Sequence, residues 1–527
     1  MAVEQITYKN IDHKTRRMIM AGLCFAMLIA CFDGTIVGTC GTVIATELQG
    51  LDLYAWMVTA FMLCETVMIP ISGKLSDLYG RKPLFLVGLT IFVLGSFAAG
   101  ASFNMEMLII CRAVQGLGGG ILIPVATAAV ADLYEPRARA KMQGALGAIF
   151  GIGSGVGPLI GGFITENIDW RWIFYINIPL AIISYVLTIK KFPTPFMDQK
   201  PVIDYVGIAL LSALLVDVLL LFEFAGSMFE WTSITAIGMI ILALFLTGLF
   251  VIVERRVVEP LLSPKLLKNR TVVMAAIYMF IFGVGMMGAM IYSNMFVIII
   301  LGLDTMQAGI YMLALIVGMM ITAISSGHLL NRTGYKLWLT AGPLICFFSL
   351  YLMSTMSMGT DLTFYVECLF LLGLGLGCMM AVIMTGVQNS SKMSEIGMST
   401  SAVNLLRSVG ATMGTAIFSM LIASKLSHEL MDHVSPQVYD IIPHDTGVLN
   451  ILGSEDFIQQ LIAMGEDVAT VIMEILVSFA NSVDFAFIAG GSIMAIMAVI
   501  GILYKVQKPE EEDFSALIRE MEEKEKQ

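Results

Sequence analysis

Charge is scarce in this chain. Asp, Glu, Lys and Arg make up 13% of its 527 residues and hydrophobic residues 57%, with a mean hydropathy of +0.85, whereas a soluble domain carries about 25% charged residues. A water-covered globule is thereby excluded, and a polytopic helical membrane protein is expected. The short alternating strands of a transmembrane barrel are missing. Histidine is rare, at 5 residues, and the 8 cysteines are scattered through apolar runs without a CxxC pair or a nearby His pair. That pattern excludes the usual zinc and redox motifs and leaves the cysteines as small core residues. No nucleophile stands beside a base, so neither an enzyme nor a cofactor is expected. Nearly half of the net charge of −11 resides in residues 509–527, and the acidic balance argues against nucleic acid as a partner.

What the chain has is long apolar runs. Taking each run of about 18 residues or more as a spanning helix gives fourteen: 18–45, 53–75, 84–102, 107–133, 142–164, 172–189, 203–224, 234–253, 272–301, 306–329, 337–358, 362–387, 398–424 and 472–504. The first run is too long for a cleaved signal peptide, so the N-terminus is expected to be retained. With it in the cytoplasm, the alternate loops collect Lys74, Arg81 and Lys82; Arg137, Arg139 and Lys141; Lys190, Lys191 and Lys200; Arg255, Arg256, Lys265, Lys268 and Arg270; Arg332 and Lys336; and Lys392, as the positive-inside rule requires. The cell membrane, with both termini cytoplasmic, is the expected location.

A weak internal repeat is visible. SGKLSDLYGRKPL after the second run aligns with SGHLLNRTGYKLW after the tenth, matching Ser72 with Ser326, Gly73 with Gly327, Leu75 with Leu329, Gly80 with Gly334 and Lys82 with Lys336. The expected fold is therefore all-α: two six-helix bundles, residues 18–191 and 271–504, with an inserted helix pair in 192–270. A short N-terminal segment (1–17), a long outer connection (425–471) and an acidic tail (505–527) complete the division. Repeated halves around a midplane site are a transporter design.

Charges inside the apolar runs are then functional candidates, because each is costly in hydrocarbon. Asp33 falls about 22 Å from the inner end of its helix. Arg112 lies roughly 8 to 9 Å below the outer boundary, at a comparable depth, so the two are expected to pair. Breaking that pair would let Asp33 take up a proton; the alternative is a permanent bridge that only locks two helices. Glu65, near the middle of the second run, is the second acid. Asp217, Glu223, Glu367 and Asp484 are weaker candidates. Arg407, about 13 Å from an inner end, is expected to pair with an acid or a backbone carbonyl. Methionine numbers 39, with clusters such as Met286, Met287 and Met290, suiting either a lipid-facing filler role or an adaptable cavity.

Four ordered motifs carry a family resemblance over nearly the whole chain. GKLSDLYGRK (73–82) and LIICRAVQGLGG (108–119) resemble the loop and fourth-helix signatures of the major facilitator superfamily. GIGSGVGPLIGG (151–162) is similar to its antiporter motif, and DWRWIFYINIP (169–179) resembles the 14-helix drug:proton antiporter branch, the EmrB/QacA-type exporters. The FDGTIV sequence at Asp33 resembles that branch's acidic motif. The resemblance implies a gating loop of Gly73, Asp77, Gly80, Arg81 and Lys82, in which Asp77 meets the helix start near Met398 as an inner latch. It also implies an antiporter helix carrying Gly153, Gly157, Pro158, Gly161 and Gly162, expected at the interface between the halves. In the second copy of the loop, Asn331 and Tyr335 replace Asp77 and Arg81, so a less charged second gate is expected. GxGxxG-like strings in these glycine runs lack the preceding strand of a dinucleotide site.

The resulting expectation is a proton-driven exporter of hydrophobic, cationic compounds, working by alternating access as a monomer in the lipid bilayer. A dedicated exporter of one metabolite, a symporter and a non-transporting membrane sensor are the alternatives. The outer connection is expected as a polar cap or a plain surface hairpin. In the tail, Phe514, Leu517, Ile518 and Met521 have the spacing of a short amphipathic helix.

Overall fold

A computed structural model describes residues 11–189, 192, 202–226, 228–257, 259–263, 266–443, 447–452 and 454–506. Lys190, Lys191, Lys200, Lys265 and the expected tail helix lie outside the described residues, as does the side chain of Pro158. The helices are α1 His13–Glu47, α2 Tyr54–Tyr79, α3 Arg81–Gly100, α4 Met105–Leu133, α5 Pro136–Asn167, α6 Trp172–Tyr175, α7 Asn177–Thr188, α8 Tyr205–Phe224 and α9 Ile234–Glu254. They continue with α10 Arg270–Ile299, α11 Thr305–Thr333, α12 Tyr335–Met353, α13 Leu362–Ser390, α14 Ile396–His433, α15 Pro436–Tyr439, α16 Val448–Ile451, α17 Glu455–Met464 and α18 Val468–Leu503.

Local chemistry sets the helix ends. Asp12, Asn104, Asp204, Ser233, Asn269, Asp304 and Asp361 each accept a backbone N–H of the following first turn, satisfying donors that have no intrahelical acceptor. At Gly80 and Gly334 the chain turns with φ of 88° and 76°, a region that favours glycine. These are equivalent positions of the sequence repeat, and both halves reverse direction there in the same backbone conformation.

The repeat extends to packing. Helix α1 packs on α5 and α7, α2 on α4, and α3 on α4 and α7; in the second half α10 packs on α14 and α18, α11 on α13, and α12 on α13 and α18. The two bundles meet where α2 crosses α14 and α5 crosses α11, again as a related pair. The hairpin of α8 and α9 lies beside this seam, with α8 against both α2 and α14. Leu211 and Leu215 of α8 join Ile69 and Leu405 there in one buried apolar cluster.

Three expectations change. Among the described residues thirteen helices are long and apolar enough to span a membrane, and the expected sixth span is the shorter apolar stretch Trp172–Thr188. It is split at Ile176 into α6 and α7, close to Pro179, which has no N–H to close the helical ladder. The expected span 398–424 belongs to a 38-residue helix, and α18 has 36 residues. A membrane crossing needs about 20, so both helices extend beyond it. The outer connection between them is accordingly shorter than expected and carries α15, α16 and α17.

Candidate functional site

The Asp33 carboxylate is fully buried. Its Oδ2 accepts a hydrogen bond from Arg112 Nη1 of α4, and its Oδ1 accepts from Gln115 Nε2 at 2.7 Å and Asn177 Nδ2 at 2.9 Å. Arg112 Nη1 also donates to Gln115 Oε1 at 2.8 Å, and Asn177 Nδ2 to Ser96 Oγ at 3.0 Å. One acid thereby ties α1, α3, α4 and α7. Taking both charges out of solvent is costly, and a dense set of hydrogen bonds is what makes such a pair tolerable. The expected pairing of Asp33 with Arg112 is observed. Gln115 and Asn177 escaped the sequence reading, although both stand inside the quoted motifs and Gln115 lies one helical turn beyond Arg112.

Phe61 of α2 lies against the guanidinium of this knot. The Arg112 guanidinium lies 4.1 Å from the Phe61 ring centroid, an attractive cation–π contact. One turn further along α2 stands Glu65, half-buried, beside the bare surface that Gly119 and Gly120 give α4. Across the seam, α14 contributes Arg407, only 7% exposed. The neighbouring residues Thr66 and Ser408 are hydrogen-bonded at 2.8 Å, so the two helices touch at this level. Neither Glu65 nor Arg407 forms an ion pair or hydrogen bond among the described residues. Arg407 Nε is buried without an acceptor, and the guanidinium sits 5.4 Å from the Phe150 ring centroid of α5. The expectation of an acid or carbonyl bonded to Arg407 is therefore not met. Its side chain crosses from α14 into the first half, away from the carbonyls of its own helix.

The gating loop seals one end of the seam. Asp77 accepts from the backbone N–H of Gly397 at 2.9 Å and Met398 at 2.7 Å, at the start of α14 where the helix dipole favours an anion. Arg81 holds Asp77 at 2.6 Å and Asp132 at 3.1 Å and donates to Ser76 Oγ. A Cβ on Gly73 would fall 2.7 Å from Gly397 O, and one on Gly327 2.7 Å from Ala140 O; both copies of the repeat need glycine for helices of opposite halves to approach. Lys82 is half-buried and makes no ion pair among the described residues. In the second copy Asn331 donates to Arg137 O at 2.8 Å and Tyr335 Oη accepts from Asn389 at 3.0 Å, so at these two positions neutral hydrogen bonds replace the ion pair. Buried Arg139 reinforces it, donating to Gln388 O at 3.0 Å and Asn389 Oδ1 at 3.1 Å.

The antiporter-motif glycines divide between two surfaces. A Cβ on Gly153 would lie 2.8 Å from Cys31 Cβ, and one on Gly157 3.2 Å from Phe32 O, so these two face α1 within the same half. The contact with α11 across the seam is made instead by Gly144, Gly151 and Gly155, against Ala323, Met319 and Ile316. The expected interface role thus moves to neighbours offset around α5. A Cβ on Gly162 would meet nothing within 4 Å, and Gly161 O accepts from Thr165 Oγ1 at 2.8 Å. Glu223 accepts from Thr59 at 3.1 Å, fastening α8 to α2. Asp217 Oδ2 and Asp484 Oδ1 are buried without hydrogen-bond partners, while Glu367 is exposed; none of the four joins the central group.

Two pseudo-equivalent helix bundles meeting around mid-membrane charges define a multi-pass membrane transporter. Residues 23–415 match the Major Facilitator Superfamily. The chain is 32% identical over 513 residues to the multidrug transporter protein MdtP of Bacillus subtilis, covering 94% of each chain. It is 30% identical over 489 residues to multidrug resistance protein 3 of the same organism, covering 93% of this chain and 94% of the relative. Among solved structures, the proton:xylose symporter XylE superposes with a TM-score of 0.62 at 12% identity, covering 94% of this chain and 97% of that one. The human organic anion transporter MFSD10 gives 0.61 at 13%, covering 92% and 99%; at such identities the likeness shows the fold. The chain belongs to the Major Facilitator Superfamily. Its relatives are transporters and not enzymes, and its substrates are accordingly small molecules.

Proposed function

We propose that this protein exports hydrophobic, cationic compounds in exchange for protons, by alternating access, from a cell membrane in which both termini are cytoplasmic. The observation that carries the reading is Glu65: a half-buried carboxylate without a bonded partner among the described residues, at the seam of the two bundles and about 21 Å from the latch end of its helix. A proton and a cationic substrate compete for such a carboxylate, so binding of one favours release of the other. The relatives named for multidrug transport support export. The basic loops, gathered at the end sealed by Asp77 and Arg139, support the orientation, and the seal there supports a state closed to the cytoplasm. Under this reading residues 18–191 and 271–504 are the two moving bundles.

Asp33 takes part as the second proton site, released when Arg112 is drawn away. In reconstituted vesicles the wild-type protein is expected to move a lipophilic cation against a proton gradient and to lose this on addition of an uncoupler. Asp33→Asn is expected to abolish proton-driven transport while the protein remains folded. Undiminished gradient-driven transport in that variant would show the Asp33–Arg112 knot to be a permanent tie and leave coupling to Glu65 alone.

A further inference from the structure

A cationic substrate explains Glu65 but not Arg407. A guanidinium stays protonated, and an isolated charge without acceptors is expensive away from water. Arg407 is 7% exposed, its Nε has no acceptor, and its described contacts include no ion pair. Among the described residues it forms no hydrogen bond or ion pair that would tie two helices, and its contact across the seam is with the Phe150 ring. It stands one residue from Ser408, whose hydrogen bond to Thr66 at 2.8 Å brings α14 against α2 beside Glu65, and its guanidinium lies 5.4 Å from the Phe150 ring centroid of α5. A cation held in this way at the seam of a transporter is a receptor for an anion that arrives with the cargo.

We propose that the central site takes amphoteric lipophilic compounds, with a cationic group directed to Glu65 and a carboxylate or comparable anion bound by Arg407, and the aromatic body against Phe150. This inference rests on the export reading above and narrows its substrate class. The sign of the coupling requires the amphoteric form. A simple anion would bind better when Glu65 is protonated, so proton and anion would travel together, which is co-transport. With both groups present, the cationic end competes with the proton at Glu65 while Arg407 anchors the other end in either protonation state. Exchange is preserved. A planar guanidinium also suits a carboxylate geometrically, through paired N–H donors that an ammonium does not offer.

The test uses two dyes that differ only in one ester: tetramethylrhodamine, which carries a free carboxylate beside its cationic ring system, and its methyl ester, which is cationic alone. Binding to purified full-length protein is measured by fluorescence anisotropy, and transport in proton-loaded vesicles. The wild-type protein is expected to bind the acid at least as tightly as the ester. Arg407→Gln is expected to lower the acid-to-ester affinity ratio at least tenfold, with Arg407→Lys falling between. Glu65→Gln is expected to weaken both dyes. Among the described residues Arg407 donates to no other group, so its replacement leaves no orphaned acceptor there, and thermal unfolding checks that each variant is folded. An acid-to-ester ratio unchanged by Arg407→Gln, or a wild-type protein that rejects the acid while binding the ester, overturns the inference and leaves proton-driven export standing. Ester transport insensitive to the proton gradient overturns the export reading itself, whatever the binding ratio.

Discussion

Asn177 Nδ2 donates to Asp33 Oδ1 at 2.9 Å from the first residue of the helix that follows the break at Ile176, so the split in the sixth segment holds the acid of the first. Residues from the two ends of one bundle's sequence meet at its most buried charge. A hydrogen bond to a charged group is worth about 1.5 to 3 kcal/mol. Asn177→Ala is accordingly expected to destabilise the protein by about 2 kcal/mol, read as a lower midpoint of denaturant unfolding in detergent. A change confined to transport, with unaltered stability, would contradict the tie described for Asn177.

Phe61, itself buried, lies against the Arg112 guanidinium one helical turn from Glu65. A hydrophobic carbodiimide, which reacts with accessible protonated carboxyls, is expected to modify Glu65 and spare Asp33 in the state closed at the Asp77 end. Phe61→Ala is expected to expose Asp33 to the reagent. Mass spectrometry of the modified peptides distinguishes the two acids. Labelling of Asp33 in the wild-type protein held in that state would show that Phe61 is not the seal.

Asp77 joins the halves by accepting two backbone N–H groups at the start of α14. An anion at a helix N-terminus contributes up to about 2 kcal/mol in partly buried geometry, so Asp77→Asn is expected to shift the equilibrium between closed and open inner gates by roughly tenfold. Spin labels at Tyr79 and Met393, both exposed, report it as growth of a longer-distance population. Gly73→Leu is expected to act in the same direction for a steric reason, because a side chain there meets Gly397 O.

At the end of the first bundle opposite Asp77, Arg171 donates to Glu47 at 2.8 Å. This guanidinium, with further help from Trp170, holds the Glu47 carboxyl below its ordinary range. A depressed folded-state value means that the contribution is present above the unfolded value of about 4.3 and is lost as pH falls through the folded one. Both side chains are substantially exposed, at 31% and 50%, so the effect is expected to stay under about 1 kcal/mol. Glu47→Gln should remove that part of the acid dependence of unfolding and leave stability at neutral pH within about 1 kcal/mol. A larger loss at neutral pH would mean that the pair supports the packing of α1 against α6.

Much of the architecture was legible in the order of residues alone, because the bilayer imposes rules that act locally. An apolar run long enough to cross must be helical to satisfy its own backbone, so the membrane spans stand out along the chain. Gly73, Gly80, Gly327 and Gly334 mark the repeat, since close approach and positive φ restrict the residues allowed there. The pairing of Asp33 with Arg112 followed from matched depth. What distance along one helix cannot specify is azimuth. That Gly153 and Gly157 turn to α1 while Gly151 and Gly155 turn to α11, that Arg407 Nε finds no acceptor among the described residues, and that Phe61 lies over Arg112 are matters of which way each helix is rotated. Rotation is decided by the packing of many helices at once, and only the tertiary structure shows its result.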